Sequence, residues 1–168
     1  MQHNRVLIAY ATYAGSTVEV AAAIGETLGA RGLAVDVKPI QDKPQLDDYQ
    51  AVLIGSAIHR GHWLPEGIDF VKANQAALQR MPVALFCVHI QNTGSDEPSR
   101  QRRLAYLNEV RPLVQPMAEG FFAGRFNRRG ARLLMPGWLA RLMPTIDLRN
   151  WETIRAWAIN LSAHLQPA

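Results

Sequence analysis

Arg5-Val-Leu-Ile-Ala-Tyr-Ala-Thr-Tyr-Ala-Gly-Ser-Thr17 begins with an apolar run of strand length, Val6 to Tyr10, and closes on glycine and hydroxyl residues. At Val18 apolar residues begin to recur at helical spacing, so the stretch reads as a strand, a tight loop and a helix. Such a junction leaves backbone N–H groups unpaired at the helix start, backed by the positive end of the helix dipole. Thr12, Ser16 and Thr17 add hydroxyl donors, and Gly15 lets the backbone approach a guest closely. The natural guest is a phosphate. With one glycine and no lysine, the loop is neither the three-glycine dinucleotide fingerprint nor the nucleoside-triphosphate loop. It suits a phosphomonoester met by dipoles and hydrogen bonds alone. An ordinary strand-to-helix turn with Ser16 as the helix cap is the alternative.

Outward from this loop, Val18, Ala21, Ala22, Gly25 and Leu28 form a helix that stops at Gly29 to Gly32. Leu33 to Val37 is a short strand, Ala51 to Ile54 a buried strand ending in Gly55-Ser56, Trp63 to Ala77 a helix, and Val83 to Ile90 another apolar strand. Ser99 to Val114 is expected to be a helix, Phe121 to Phe126 a strand, and Trp151 to Leu165 a closing helix capped by Asn150. Strands alternating with helices, the strands uninterruptedly apolar, imply an α/β fold with a parallel sheet covered on both faces. Only a short turn is available between the second and third strands, within Asp42 to Gln50. Ligands of such doubly wound sheets sit beyond the carboxyl ends of the strands, which directs attention to the loops after Tyr10, Ile54 and Ile90.

The length of 168 residues suits a single domain, 1 to 168, and 48% apolar composition excludes a disordered chain. His3, Asn4 and Arg5 interrupt the start, so no export signal is expected, and no apolar run reaches the roughly 18 residues of a membrane span. One cysteine, Cys87, lies within the apolar run Val83 to Val88 and reads as a small core residue, which fits a cytoplasmic address. The histidines at 3, 59, 62, 89 and 164 show no metal-ligand spacing beyond His59-x-x-His62, and no metal is expected. Charge is uneven: residues 1 to 84 hold seven Lys or Arg against eight acids, residues 85 to 168 eleven Arg against six. A basic second half favours an anionic surface as partner.

Thr12-Tyr13-Ala14-Gly15-Ser16-Thr17 resembles the flavin mononucleotide phosphate loop of flavodoxins, placed as there directly after the first strand. The resemblance implies a flavodoxin-like, doubly wound, five-stranded parallel sheet of order 2-1-3-4-5, FMN as cofactor, and a short helix near Asp47-Asp48-Tyr49. In that family the loop after the third strand packs against one face of the isoalloxazine ring. Here Ser56, Ala57, Ile58, His59, Gly61, His62 and Trp63 are the candidates, the alternative being a surface loop whose Trp63 caps the next helix. The loop after the fourth strand, His89-Ile90-Gln91-Asn92-Thr93-Gly94, would face the pyrimidine edge, with His89, Gln91, Asn92, Thr93 and Gly94 as flavin contacts. It lacks the stacking tyrosine of carrier flavodoxins, and a ring open on one face can admit a substrate.

Arg125 to Met143 holds five arginines and no acid among leucine, methionine and tryptophan, the composition of a segment lying on anionic lipid. Pro136-Gly137 divides it into two short pieces, and packing of Leu133, Leu134 and Leu139 under the sheet is the alternative. No nucleic-acid module surrounds these arginines. Ile54-Gly55-Ser56-Ala57-Ile58-His59-Arg60-Gly61-His62 is similar to the Ile-Gly-x-Ser-Ile-Arg-x-Gly-His of the quinone-dependent protoporphyrinogen oxidases. The basic insertion of about 125–145 and the Trp151-Glu152 start of the last helix are similar too. His59 replaces the usual arginine, the stretch after His89 differs, and the insertion is shorter. The resemblance implies an FMN oxidoreductase peripheral to the inner face of the cell membrane, with a porphyrinogen as substrate and a quinone as acceptor. Arg60 is the candidate counterion for the propionates, and His62 for orienting the flavin or relaying a proton. An electron-carrier flavodoxin is the alternative, disfavoured by basic charge, and a flavin-free binding module a third.

Overall fold

The computed structural model describes residues 4–166; His3, read above with the other histidines, lies outside them. β1 (Arg5–Ala11) leads through the phosphate-type loop into α1 (Ser16–Ala30), and β2 (Ala34–Pro39) follows. A 3₁₀ turn, Ile40–Asp42, takes the place of a crossover helix before β3 (Ala51–His59), and Asp47-Asp48 form a turn, not a helix, closed by the Tyr49 N–H on the Leu46 carbonyl at 3.1 Å. β5 (Val83–His89) and β6 (Ala118–Ala123) come after β4 (His62–Trp63), α2 (Pro65–Ala73) and α3 (Gln75–Leu78), and α4 (Glu97–Ala105) and α5 (Arg111–Val114) separate them. The five long strands are parallel and lie in the order β2-β1-β3-β5-β6, the flavodoxin order expected.

Period-two alternation of the buried strands divides the core in two. Leu7, Ile54, Leu85 and Cys87 point to the face covered by Phe70, Val71, Leu107 and Val110. Val6, Ile8, Leu53 and Phe86 point to the other, covered by Val20, Ile24 and Leu28 of α1 and by Ile154 and Leu161 of α8 (Trp151–Leu165). Asn150 caps α8, its side chain accepting from the Thr153 N–H at 3.0 Å. Cys87 is fully buried, as a core residue would be, and its Sγ accepts the Trp63 indole N–H at 3.2 Å. Burial pushes its thiol pKa up to about 12.

Three elements depart from the periodicity. Trp63 is not helical: Pro65 sits in the first turn of α2, and the residues before it fold back as β4 on the end of β3, pairing Ile58 with Trp63 and His59 with His62. Ser99 to Val114 is not one helix; Pro112 lacks the N–H a continuous helix needs, and the chain breaks into α4, turns and α5. Phe121 to Phe126 is not one strand. At Gly124, where a Cβ would lie 2.9 Å from both Ser16 Oγ and a Val88 methyl, the pairing changes partner: its N–H bonds the His89 carbonyl at 2.7 Å and its carbonyl accepts the Leu148 N–H at 3.1 Å. Beyond it β7 (Arg125–Phe126) pairs antiparallel with β8 (Ile146–Asp147). The insertion is thus an excursion on a two-stranded stem, carrying α6 (Arg128–Leu134) and α7 (Gly137–Ala140), two short helices divided at Pro136. Among the described residues, no helix is long and apolar enough to cross a membrane.

Candidate functional site

The loop between β1 and α1 is held by Thr12, whose Oγ1 accepts the Gly15 N–H at 3.0 Å. Gly15, not Ser16, is the helix cap. It adopts φ +98°, and no side chain caps the helix behind it. The first N–H groups of α1 therefore face the loop without side-chain acceptors. Thr17 is fully buried and its Oγ1 has no hydrogen-bond partner; a buried hydroxyl left alone is costly, and an acceptor arriving in the loop would satisfy it. Ser16 lies beside it, nearly buried.

A cation stands here that the local motif does not announce. Arg125, from β7, lines the same cavity as Ser16, Tyr13 and Ala14, its Nε buried without a partner and its Nη2 3.4 Å from Glu19. Its only trace in the sequence is that it begins the basic run, more than a hundred residues from the loop it faces. Glu19 and Asp147 also bind Arg149, whose guanidinium is nearly buried and lies over the Trp151 ring at 4.6 Å. These contacts fasten the stem of the insertion to the first turn of α1. The Arg149 hydrogen bonds hold the Asp147 carboxyl at about 2, below the usual carboxylate range.

The loop after β3 is a two-residue hairpin turn with Arg60 (φ +51°) and Gly61 (φ +86°) at its tip. Both central residues having positive φ is the turn type that matches strand twist; Gly61 suits it and Arg60 is strained there. Ser56 turns inward: its hydroxyl accepts the Leu64 N–H at 3.0 Å and donates to the Ala57 carbonyl at 2.9 Å, so it holds the hairpin rather than a ligand. Trp63 is buried in the core, which removes it from the ring-facing candidates. Ala57, Ile58 and His59 line the cavity beside the phosphate loop, where the Tyr13 ring lies 4.5 Å from that of His59. His62 is exposed and pairs with Glu109, Nδ1 to Oε1, at 2.6 Å.

After β5, His89 is buried and its Nδ1 lies 2.7 Å from the Gln91 carbonyl; burial lowers its pKa. Asn92, at φ +57°, donates from its side chain to the Tyr106 hydroxyl at 2.6 Å. Arg103 ties the loop down by donating from Nη1 to the carbonyls of Asn92 and Gly94, at 2.5 and 2.6 Å. Thr93 and Gly94 face a separate groove toward α8. The ring-side space comprises two cavities of about 70 and 110 Å³, both lined by Ile58, His59 and Leu134 of α6. At Gly130 of α6 a Cβ would lie 3.4 Å from the Ala14 methyl, so this helix rests directly on the phosphate loop.

A family model described as a flavodoxin domain matches residues 7–141. The chain belongs to the flavodoxin-domain family. Among curated relatives, the protoporphyrinogen IX dehydrogenase [quinone] of Escherichia coli (strain K12) is 32% identical over 88 residues, 51% of this chain and 49% of that protein. The match thus spans about half the length of that relative. The Leishmania major protein of the same name is 30% identical over 178 aligned positions, covering 96% of this chain and 76% of its own. Among solved structures, a flavodoxin from the domain Archaea shares the fold with a TM-score of 0.60 at 14% identity, covering 96% of this chain and 98% of its own. The cofactor of a flavodoxin domain is FMN. The orphaned Thr17 hydroxyl, the uncapped α1 and Arg125 fit its phosphate. At the ring end, cavities of about 70 and 110 Å³ are below the roughly 300 Å³ at which cofactor pockets begin, so Leu134 and its helix must yield to admit an isoalloxazine.

Proposed function

We propose that this protein oxidises protoporphyrinogen IX to protoporphyrin IX, as a step of haem synthesis, with a quinone as acceptor, while lying on the inner face of the cell membrane. The observation that carries the reading is the likeness, over 96% of this chain, to a relative named protoporphyrinogen IX dehydrogenase [quinone]. Six electrons and six protons leave the porphyrinogen as three quinones become quinols. Bound FMN would supply the two-electron redox chemistry that links the two substrates.

The chain's own residues then bind, orient and shield. Ser16, Thr17, Arg125 and the start of α1 hold the phosphate end, and Ala57, Ile58, His59 and the Gly61 turn bound one face of the ring. Arg60, at the hairpin tip, is positioned to meet a propionate. His62, whose Nδ1 pairs with Glu109 Oε1, is the candidate for orienting the flavin or relaying a proton at the rim of the same loop. The insertion supports docking on an anionic surface: Trp138 and Leu142 are 70% and 74% exposed, beside Arg128, Arg129, Arg132 and Arg141. Leu133, Leu134 and Leu139 are also exposed, which argues against packing beneath the sheet.

Anaerobic incubation of the FMN-loaded protein with protoporphyrinogen IX and a quinone should yield porphyrin fluorescence in step with quinol. Arg60→Ala should raise KM for the porphyrinogen far more than for the quinone. Replacing Arg128, Arg129 and Arg132 together by Ser should abolish binding to anionic liposomes with FMN content unchanged, since each basic residue near such a surface contributes about 1 kcal/mol. A protein that reduced only protein partners would be an electron carrier instead.

A further inference from the structure

On the side of the 90–95 loop that faces α8 lies an open groove of about 710 Å³, beyond the carboxyl ends of β5 and β6. Its walls are chemically divided. Phe121 and Phe122 supply an apolar side, while Arg103, Asn150 and Thr153 supply a positive and polar one. Asn150 caps α8, a helix of 15 residues, and Thr153 lies in its first turn, so the positive end of the helix dipole opens on the groove. The Arg103 bonds to loop carbonyls run through Nη1, leaving Nε and Nη2 without protein acceptors among the described residues.

A second observation points to a ligand. His89 is only 3% exposed, lines the groove, and its Nε2 is buried with no partner. The partner of Nδ1 is a carbonyl, which can only accept, so Nδ1 carries the proton and Nε2 is a lone pair. Arg103 and the Tyr106 hydroxyl are the charged and titratable groups near the imidazole, and burial with the Arg103 charge favours its neutral form. A lone pair asks for a donor. A protonated inorganic anion such as hydrogen phosphate could donate an O–H to Nε2 but would leave the Phe121 and Phe122 side unfilled, and an apolar molecule would leave both Nε2 and Arg103 unmet. The arrangement calls for an N–H, an apolar ring body and a carboxylate on one molecule.

We propose that this groove binds a carboxylated, N–H-bearing heteroaromatic ring, its N–H donating to His89 Nε2 and its carboxylate lying between Arg103 and the start of α8. The inference deepens the proposed function and rests on it for one point only, that the natural occupant is the tetrapyrrole substrate. His89 also lines the 110 Å³ cavity bounded by Ile58, His59 and Leu134, so its imidazole stands between the groove and the ring-side space.

Binding of protoporphyrin IX, its dimethyl ester and indole-3-propionate to the FMN-loaded protein tests this, read by porphyrin fluorescence and by calorimetry. Thr153→Glu brings a carboxylate into the groove at a helix position where glutamate is favourable, so the fold and FMN content should persist. It should weaken both free acids about 10- to 100-fold, the size of a lost charge-assisted hydrogen bond, and leave the ester, which should bind more weakly in the wild type, unchanged. His89→Leu should weaken indole-3-propionate by about 3- to 10-fold and the planar porphyrins, whose N–H groups point into the macrocycle, less. Porphyrin binding that ignored esterification and Thr153→Glu would overturn the groove even in an enzyme that turned over porphyrinogen. Indole-3-propionate bound with both losses, in a protein that ignored porphyrin, would keep the groove and remove the tetrapyrrole as its occupant. Failure of the wild type to bind either acid would overturn the proposal.

Discussion

At Thr17 the cost of an unmet hydroxyl and the demand for a ligand coincide, so one substitution separates them. Thr17→Val keeps the buried volume and removes an Oγ1 that bonds nothing within the protein. Without flavin, its urea midpoint should equal or exceed the wild type's, because an orphaned buried hydroxyl costs about 1–3 kcal/mol. FMN should bind about 10- to 100-fold more weakly and riboflavin equally well; equal losses for both flavins would place the phosphate elsewhere. Arg125→Ser should discriminate the same way, with a loss that grows at low salt. This residue could not be found by reading the loop, because the cation that faces it arrives from β7 through tertiary folding alone. Asp147 gives a prediction with a sign. Its carboxyl titrates at about 2 when folded against about 4 in an unfolded chain, so its contribution is fully present above pH 4 and fades as pH falls toward 2. The melting advantage of the wild type over Asp147→Asn should be level above pH 4 and shrink below it. A gap that widened on acidification would contradict the Arg149 pairing.

Among the elements, the third strand carries most of the site and was only half legible. Apolar residues announce β3 as far as Ile54; Gly55 to Ala57 continue it in register with β1 and β5, and the last two residues, Ile58 and His59, depend on β4 folding back, which nothing in the local periodicity encodes. Two features of its motif turn out to be architectural. Ser56 closes the hairpin, and Gly55 lies where a Cβ would meet the Phe86 ring at 2.0 to 2.5 Å. Gly55→Ala should therefore lower stability by at least about 1–3 kcal/mol through overpacking, seen as a shifted denaturation midpoint in protein with and without FMN. A change confined to FMN affinity would mean the glycine serves the ligand. The short helix α6 poses the opposite problem. Its two-piece division was readable from Pro136-Gly137, whereas its position across the phosphate loop was not, since Gly130 and Ala14 are joined only by the path of the β7–β8 stem. Leu134→Ala widens the space beside Ile58 and His59, and should speed FMN association in stopped-flow fluorescence. An unchanged rate would show that α6 yields freely.

Taken whole, the strand order came from the family resemblance, while the parallel α/β class followed from the alternation of apolar runs and the phosphate end from the loop after the first strand, because both are written in contiguous residues. The groove near α8 was not, because His89, Arg103, Phe121 and Thr153 are drawn together from four elements. The partition of charge, by contrast, has a physical counterpart: the arginine-rich second half supplies the stem, the insertion and the cation beside the phosphate loop. The solitary thiol at the centre of the sheet makes the molecule its own stopwatch. Cys87 is wholly enclosed, with an acidity far too weak to present thiolate at neutral pH, and the chain has no second thiol to confuse a reading. A maleimide can therefore reach it only when the hairpin and helices covering its face of the sheet lift, and with reclosing faster than the reagent its rate of modification reports the population of that open form. Flavin that clasps the closed form should slow that clock by the factor one plus its concentration over its dissociation constant, so a reagent blind to colour would measure how firmly the coloured ligand is held.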